Sequence, residues 1–90
     1  MLRITPLSRD THITVLKVEG WIAGRDIDLL DRELTCAFQK TSCVILNFDG
    51  IRFIDLAGIK RLQCWSQKHL SIRGGSPFIR IMLKTYGLDG

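Results

Sequence analysis

The sequence predicts an α/β domain: a mixed sheet of three to four strands flanked by about three helices. Three observations carry this. His12–Glu19 alternates apolar and polar residues, the period of a half-buried strand. The segment 26–40 instead puts Ile27, Leu30, Leu34, Ala37 and Phe38 on one helical face. Cys43 to Phe48 is then a nearly continuous apolar run, which suits a strand covered on both faces of a parallel sheet. The order strand, strand, helix, strand, helix, helix is that of an α/β fold, with a right-handed crossover joining the second and third strands.

Each element has a local reason. Residues 2–7 suit a short edge strand, because Pro6 lacks an N–H and is tolerated only at an edge. Ser8–Thr11 reads as a hairpin turn. The next strand directs Ile13 and Val15 inward, with Leu16 or Val18, and stops at Gly20. Asp26 or Arg25 opens the first helix, and Asp26, Asp28 and Asp31 favour the positive end of its macrodipole, a sufficient explanation for these acids without catalysis or metal. Asp49-Gly50 is a turn signal, Ile51–Ile54 a short extended piece, and Asp55 an N-cap for a helix beginning near Leu56. Ile59, Leu62 and Trp65 line its core side. Gly74-Gly75 is a loop. Ser76-Pro77 starts a last helix with Ile79, Met82, Leu83 and Tyr86 inward and Gly87 as its stop.

Composition narrows the function. The 90 residues make one domain, 1–90, with an ordinary 46% hydrophobic and 24% charged content. No apolar run reaches the roughly 18–20 residues of a membrane span, and Met1–Leu7 lacks an apolar stretch of signal-peptide length, so the expected location is the cytoplasm without membrane insertion. Cys36, Cys43 and Cys64 form no Cys-x-x-Cys pair and read as small buried hydrophobes, and His12 and His69 are too far apart to suggest a metal site. No phosphate-binding glycine loop and no nucleophile with an evident base is present, so neither catalysis nor a cofactor is expected.

The net charge of +4 is uneven: residues 1–50 sum to −1, while 51–90 hold seven cations against Asp55 and Asp89. Such a half serves as a solvated helix face, meets an acidic protein, or binds nucleic acid. Aromatic residues are not interleaved with these charges as a stacking platform requires, so nucleic acid is not expected.

Leu16–Gly20, the acidic helix after it, Val44–Ile59 and Ser76–Leu88 together resemble the STAS domain, the family of bacterial anti-sigma-factor antagonists and of the cytoplasmic tails of sulfate transporters. The resemblance spans essentially the whole chain. In the antagonists a Ser or Thr in an Asp-Ser-Ser/Thr-Gly motif, at the start of the second helix, is phosphorylated by the anti-sigma-factor kinase. The unphosphorylated domain binds that kinase and frees the sigma factor. The motif falls on Asp55-Leu56-Ala57-Gly58, where neither central residue has a hydroxyl. A phosphate there would add about −1.5 to −2 charges at a helix N-terminus, and this chain has no atom to receive it.

The resemblance therefore implies a non-enzymatic interaction domain binding a protein through residues 55–63, not switchable by phosphorylation at that site. Leu56 and Ala57, if exposed, would form an apolar patch rimmed by Arg52, Lys60 and Arg61; the alternative places Leu56 in the core. The second partner loop maps onto Trp21-Ile-Ala-Gly24-Arg25, where Trp21 is either an interface anchor or a cap on the core. The partner implied is an anti-sigma-factor kinase or, in a different STAS role, the ATPase of a bacterial ABC transporter handling phospholipids. Only Ser71–Gly75 is available for the last family strand, which is therefore shortened or absent. That would leave the third strand near an open edge, to be covered by a shifted terminal helix or by a second copy of the chain.

Overall fold

The computed structural model describes residues 1–88. Its elements are β1 (Leu2–Arg9), β2 (Ile13–Ile22), α1 (Asp26–Lys40), β3 (Cys43–Ile54), α2 (Leu56–Trp65), β4 (Leu70–Arg73) and α3 (Pro77–Thr85). The sheet order is β1-β2-β3-β4, with β1 antiparallel to β2 and the other two pairs parallel. The chain is thus an α/β domain with a mixed four-stranded sheet and three helices.

Both crossovers, β2-α1-β3 and β3-α2-β4, step the same way across the sheet, and right-handed connections then put both helices on one face. The strands record this. Leu16, Val18, Val44, Leu46 and Ile72 are buried against the helices, while Val15, Lys17, Ile45 and Asn47 between them are half-buried. Phe48, Leu30, Leu34, Ile59, Leu62, Ile79 and Leu83 fill the space between sheet and helices. Burying a side chain of this size contributes about 1.5–3 kcal/mol.

Several expectations are corrected. β3 is not covered on both faces, because all the large apolar burial lies on the helix side. Nor does Asp49-Gly50 interrupt it. β3 carries an extra residue relative to β2 between Asn47 and Gly50, and another between Ile51 and Phe53. The two bulges let one strand continue while Phe48, Ile51 and Ile54, three apart, all face the core. Gly20 likewise lies within β2. Its φ of +98° brings the backbone against the Met1 carbonyl, which accepts from Trp21 N at 3.0 Å. β2 turns its even-numbered residues inward, so Ile13 and Val15 are not core residues. β1 runs to Arg9, and the hairpin turns at Asp10, whose Oδ1 accepts from His12 N and Ile13 N, each at 2.7 Å.

The last strand is present but short. β4 has four residues, pairs with Val44–Asn47, and leaves the rest of β3 without a β4 partner. Beyond that point Asp49 Oδ1 accepts from Gly75 N at 3.0 Å, and α3 packs against β3. Ser76 caps α3 as expected, its Oγ accepting from Ile79 N; Ile79 and Leu83 are buried and Met82 packs half-buried against the core, but Tyr86 is exposed. None of the three cysteines is buried: Cys36 and Cys64 are exposed and Cys43 is half-buried. No helix among the described residues is long and apolar enough to cross a membrane.

Candidate functional site

The segment between β3 and α2 is organised by Asp55. Its backbone is extended (φ −84°, ψ 173°), as an N-cap requires, and its Oδ1 accepts from Gly58 N at 2.7 Å. The other carboxylate oxygen, Oδ2, accepts from Gly24 N at 3.3 Å, and Asp55 N donates to Ile22 O at 3.1 Å. One side chain thus closes the first turn of α2 and holds it beside the loop that leaves β2. The two stretches singled out in the sequence, 21–25 and 55–61, meet here.

Gly58 is there because the helix start approaches β2 so closely. A Cβ at this position would stand 2.8 Å from Ile22 O and 2.9 Å from Ile22 Cγ2. Asp55 and Gly58 are therefore structural: one caps, the other permits contact. The two residues between them point the other way. Leu56 is 55% exposed and Ala57 is also exposed, so Leu56 is not a core residue.

Around this turn the structure adds a feature that the sequence reading missed. Trp21 and Phe53 are register partners on β2 and β3 and pack edge to face, ring centres 6.2 Å apart at 67°. Both stay substantially exposed, at 53% and 44%. Trp21 is thus a surface aromatic and not a cap on the core. Phe53 was legible only as part of an extended piece. The bulge at Arg52 brings it opposite Trp21, and no local pattern announces a bulge.

The rim residues divide. Arg25, Arg52 and Lys60 are exposed. Arg61 is drawn toward α1, where it pairs with Asp31 at 3.1 Å. Asp31 also accepts from Trp65 Nε1 at 2.8 Å, and Trp65 stacks on Phe38 with ring centres 5.6 Å apart. Arg61 therefore belongs to the α1–α2 contact. No group of three or more His, Cys, Asp or Glu is placed to hold a metal ion among the described residues.

Solved structures share this architecture. An anti-sigma factor antagonist from Mycobacterium paratuberculosis superposes with a TM-score of 0.82 at 15% identity, over 98% of this chain and 80% of its own. The anti-sigma factor antagonist SpoIIAA in its unphosphorylated form gives 0.79 at 17%, over 96% and 82%. The Bacillus cell fate determinant SpoIIAA in its phosphorylated form gives 0.67 at 18%, over 96% and 85%. No family profile matches the sequence, and no curated protein matches it. The chain has a STAS, SpoIIAA-like fold.

Proposed function

We propose that this chain is a non-enzymatic regulatory domain that binds a protein partner through the start of α2 and the β2–α1 loop, in the manner of an anti-sigma-factor antagonist. The observation that carries this is the pair Leu56 and Ala57, exposed at a rigidly capped helix start whose fold neighbours include anti-sigma factor antagonists. The exposed apolar pair is accompanied by exposed Arg25, Arg52 and Lys60 on the adjoining segments, a composition that suits a protein interface with an apolar centre and a charged rim.

Phosphorylation at this turn is not part of the proposal, since the positions between Asp55 and Gly58 carry hydrocarbon only. Binding there is constitutive, and its control lies in the amount of the chain or in the partner. The experiment is an affinity pull-down from the native cell with the wild-type chain and with Ala57→Arg as bait. The result expected is one protein retained by the first and lost from the second. A kinase-type anti-sigma factor supports the reading as stated. A transporter ATPase would move the chain to the other STAS role, and an unchanged set of retained proteins would refute the surface. Transfer of labelled phosphate to the 55–58 segment would refute the constitutive part.

A further inference from the structure

A cleft of about 440 Å³ lies between β1 and α1, at the opposite end of β2 from the α2 start. Its walls have identifiable causes. β1 slips register between Pro6 and Ser8, so that Leu7 is an extra residue and the strand departs from regular pairing. On the other side α1 presents Glu33, Cys36, Ala37 and Lys40, spaced at i, i+3, i+4 and i+7. The middle two are small, and a gap remains where larger residues would have met β1. Its floor is Leu16 and Ala37, with Pro6 and Leu7 along the side.

The polar groups are placed asymmetrically. Arg9 is the register partner of Thr14, whose hydroxyl is 2.8 Å from that of Thr41, the residue after Lys40. Arg9 and Lys40 therefore share one end of the cleft, and neither has a carboxylate partner among the described residues. Glu33 lies seven residues back along α1, about 10 Å at 1.5 Å per residue. The volume falls within the usual range for small-molecule sites, roughly 300–1,000 Å³.

We propose that this cleft binds a single-chain amphiphile with one anionic head, the head at Arg9 and Lys40 and the apolar chain over Leu16 and Ala37. The two cations select the head. The apolar floor holds the chain, and Glu33 at the far end rejects a second negative charge. Dicarboxylates long enough to place their second charge there are thereby disfavoured. The site is independent of the surface at the α2 start.

The cleft carries its own reporter. Cys36 lines it, whereas Cys64 is exposed on α2 away from it and serves as an internal control. Decanoate, kept below its micellar concentration, is titrated against the rate at which a maleimide modifies each thiol, read by mass spectrometry. The result expected is saturable slowing at Cys36 with Cys64 unaffected. Octanoate, two methylenes shorter, should need roughly tenfold more for the same effect. Reversing both exposed cations (Arg9→Glu with Lys40→Glu) should weaken protection roughly five- to tenfold, with the circular dichroism melt showing that the fold is kept. The single variant Lys40→Glu should fall between, and serves if the double variant does not fold. No slowing at Cys36, equal slowing of both thiols, indifference to charge reversal, or equal protection by decyltrimethylammonium would each overturn the proposal.

Discussion

Replacing Asp55 with alanine tests whether one carboxylate joins the two stretches of the candidate site. The side chain makes a short bond to Gly58 N at 2.7 Å and a longer one to Gly24 N at 3.3 Å. Loss of an N-cap costs about 1 kcal/mol, within a range of roughly 0.5–2. The second bond adds on the order of 0.5–1 kcal/mol, for a sum of about 1.5–2 kcal/mol. In a domain of this size a kilocalorie lowers the midpoint by roughly 4–8 °C, so Asp55→Ala should melt about 6–16 °C below wild type. Asp55→Asn should cost less than half as much. It keeps an oxygen for Gly58 but turns its amide nitrogen toward the Gly24 donor. The assay is urea and thermal unfolding of the three proteins, with amide spectra for Gly24 and Gly58. Alanine should shift both amides, and asparagine chiefly that of Gly24. A loss below about 0.5 kcal/mol for alanine, the usual scatter of surface substitutions, or a Gly24 amide unmoved by either variant, would refute the clasp.

Gly58→Ala should destabilise by up to about 2 kcal/mol, the overpacking cost against Ile22 less the helix propensity gained, measured by urea unfolding. Leu56→Asp should behave oppositely. A carboxylate in the first turn of α2 gains about 0.3–1 kcal/mol from the helix dipole, so the midpoint should hold or rise while partner binding in the pull-down is lost. Asp10 gives a prediction about acid. The backbone N–H groups of His12 and then Ile13 hold its carboxyl below the usual carboxylate range. A depressed folded-state value contributes stability that is complete above the unfolded value and is lost as pH falls through the folded one. Asp10→Asn keeps an acceptor for the turn, so its unfolding midpoint should lose less between neutral and strongly acidic pH than that of the wild type. Parallel pH titrations of unfolding check it.

How far the sequence disclosed this molecule depended on whether the signal was local. Caps are local, and Asp55 and Ser76 stand where their side chains and spacing put them. The 3.6-residue stripe of α1 is local too, and its Ile27, Leu30, Leu34 and Ala37 are all buried. Bulges are not local. Phe48, Ile51 and Ile54 lie three apart, a spacing foreign to a regular strand, and Asp49-Gly50 between them has the composition of a turn. What keeps that stretch extended is its pairing with β2, whose own irregularity at Gly20 matches it. The same non-local event produces the Trp21–Phe53 pair, the part of the candidate site that no inspection of either segment alone supplies. The continuous apolar run of β3 misled for a further reason. Apolar composition states which residues tolerate burial, while topology decides which face receives helices, and Val15, Cys43 and Ile45 are left half-covered on the other.

The two ends of the Asp55–Gly58 turn and its middle do different physical work, so the turn's geometry does not depend on what its middle residues display. Asp55 is fixed by what it bonds, Gly24 N and Gly58 N, and Gly58 by Ile22 O, which would stand only 2.8 Å from a Cβ at that position. Neither requirement depends on whether a phosphate ever arrives. Leu56 and Ala57 face outward and enter none of these contacts, so the scaffold accepts any side chain there. On the proposed reading, a hydroxyl at those positions would make binding conditional, because a phosphate would bring charge to the contact, whereas Leu56 and Ala57 offer no atom to receive one. The Leu56→Asp variant separates the two contributions directly: if stability holds while binding fails, the turn is a support whose function is set by the residues it displays. If stability falls with binding, Leu56 is part of the support itself.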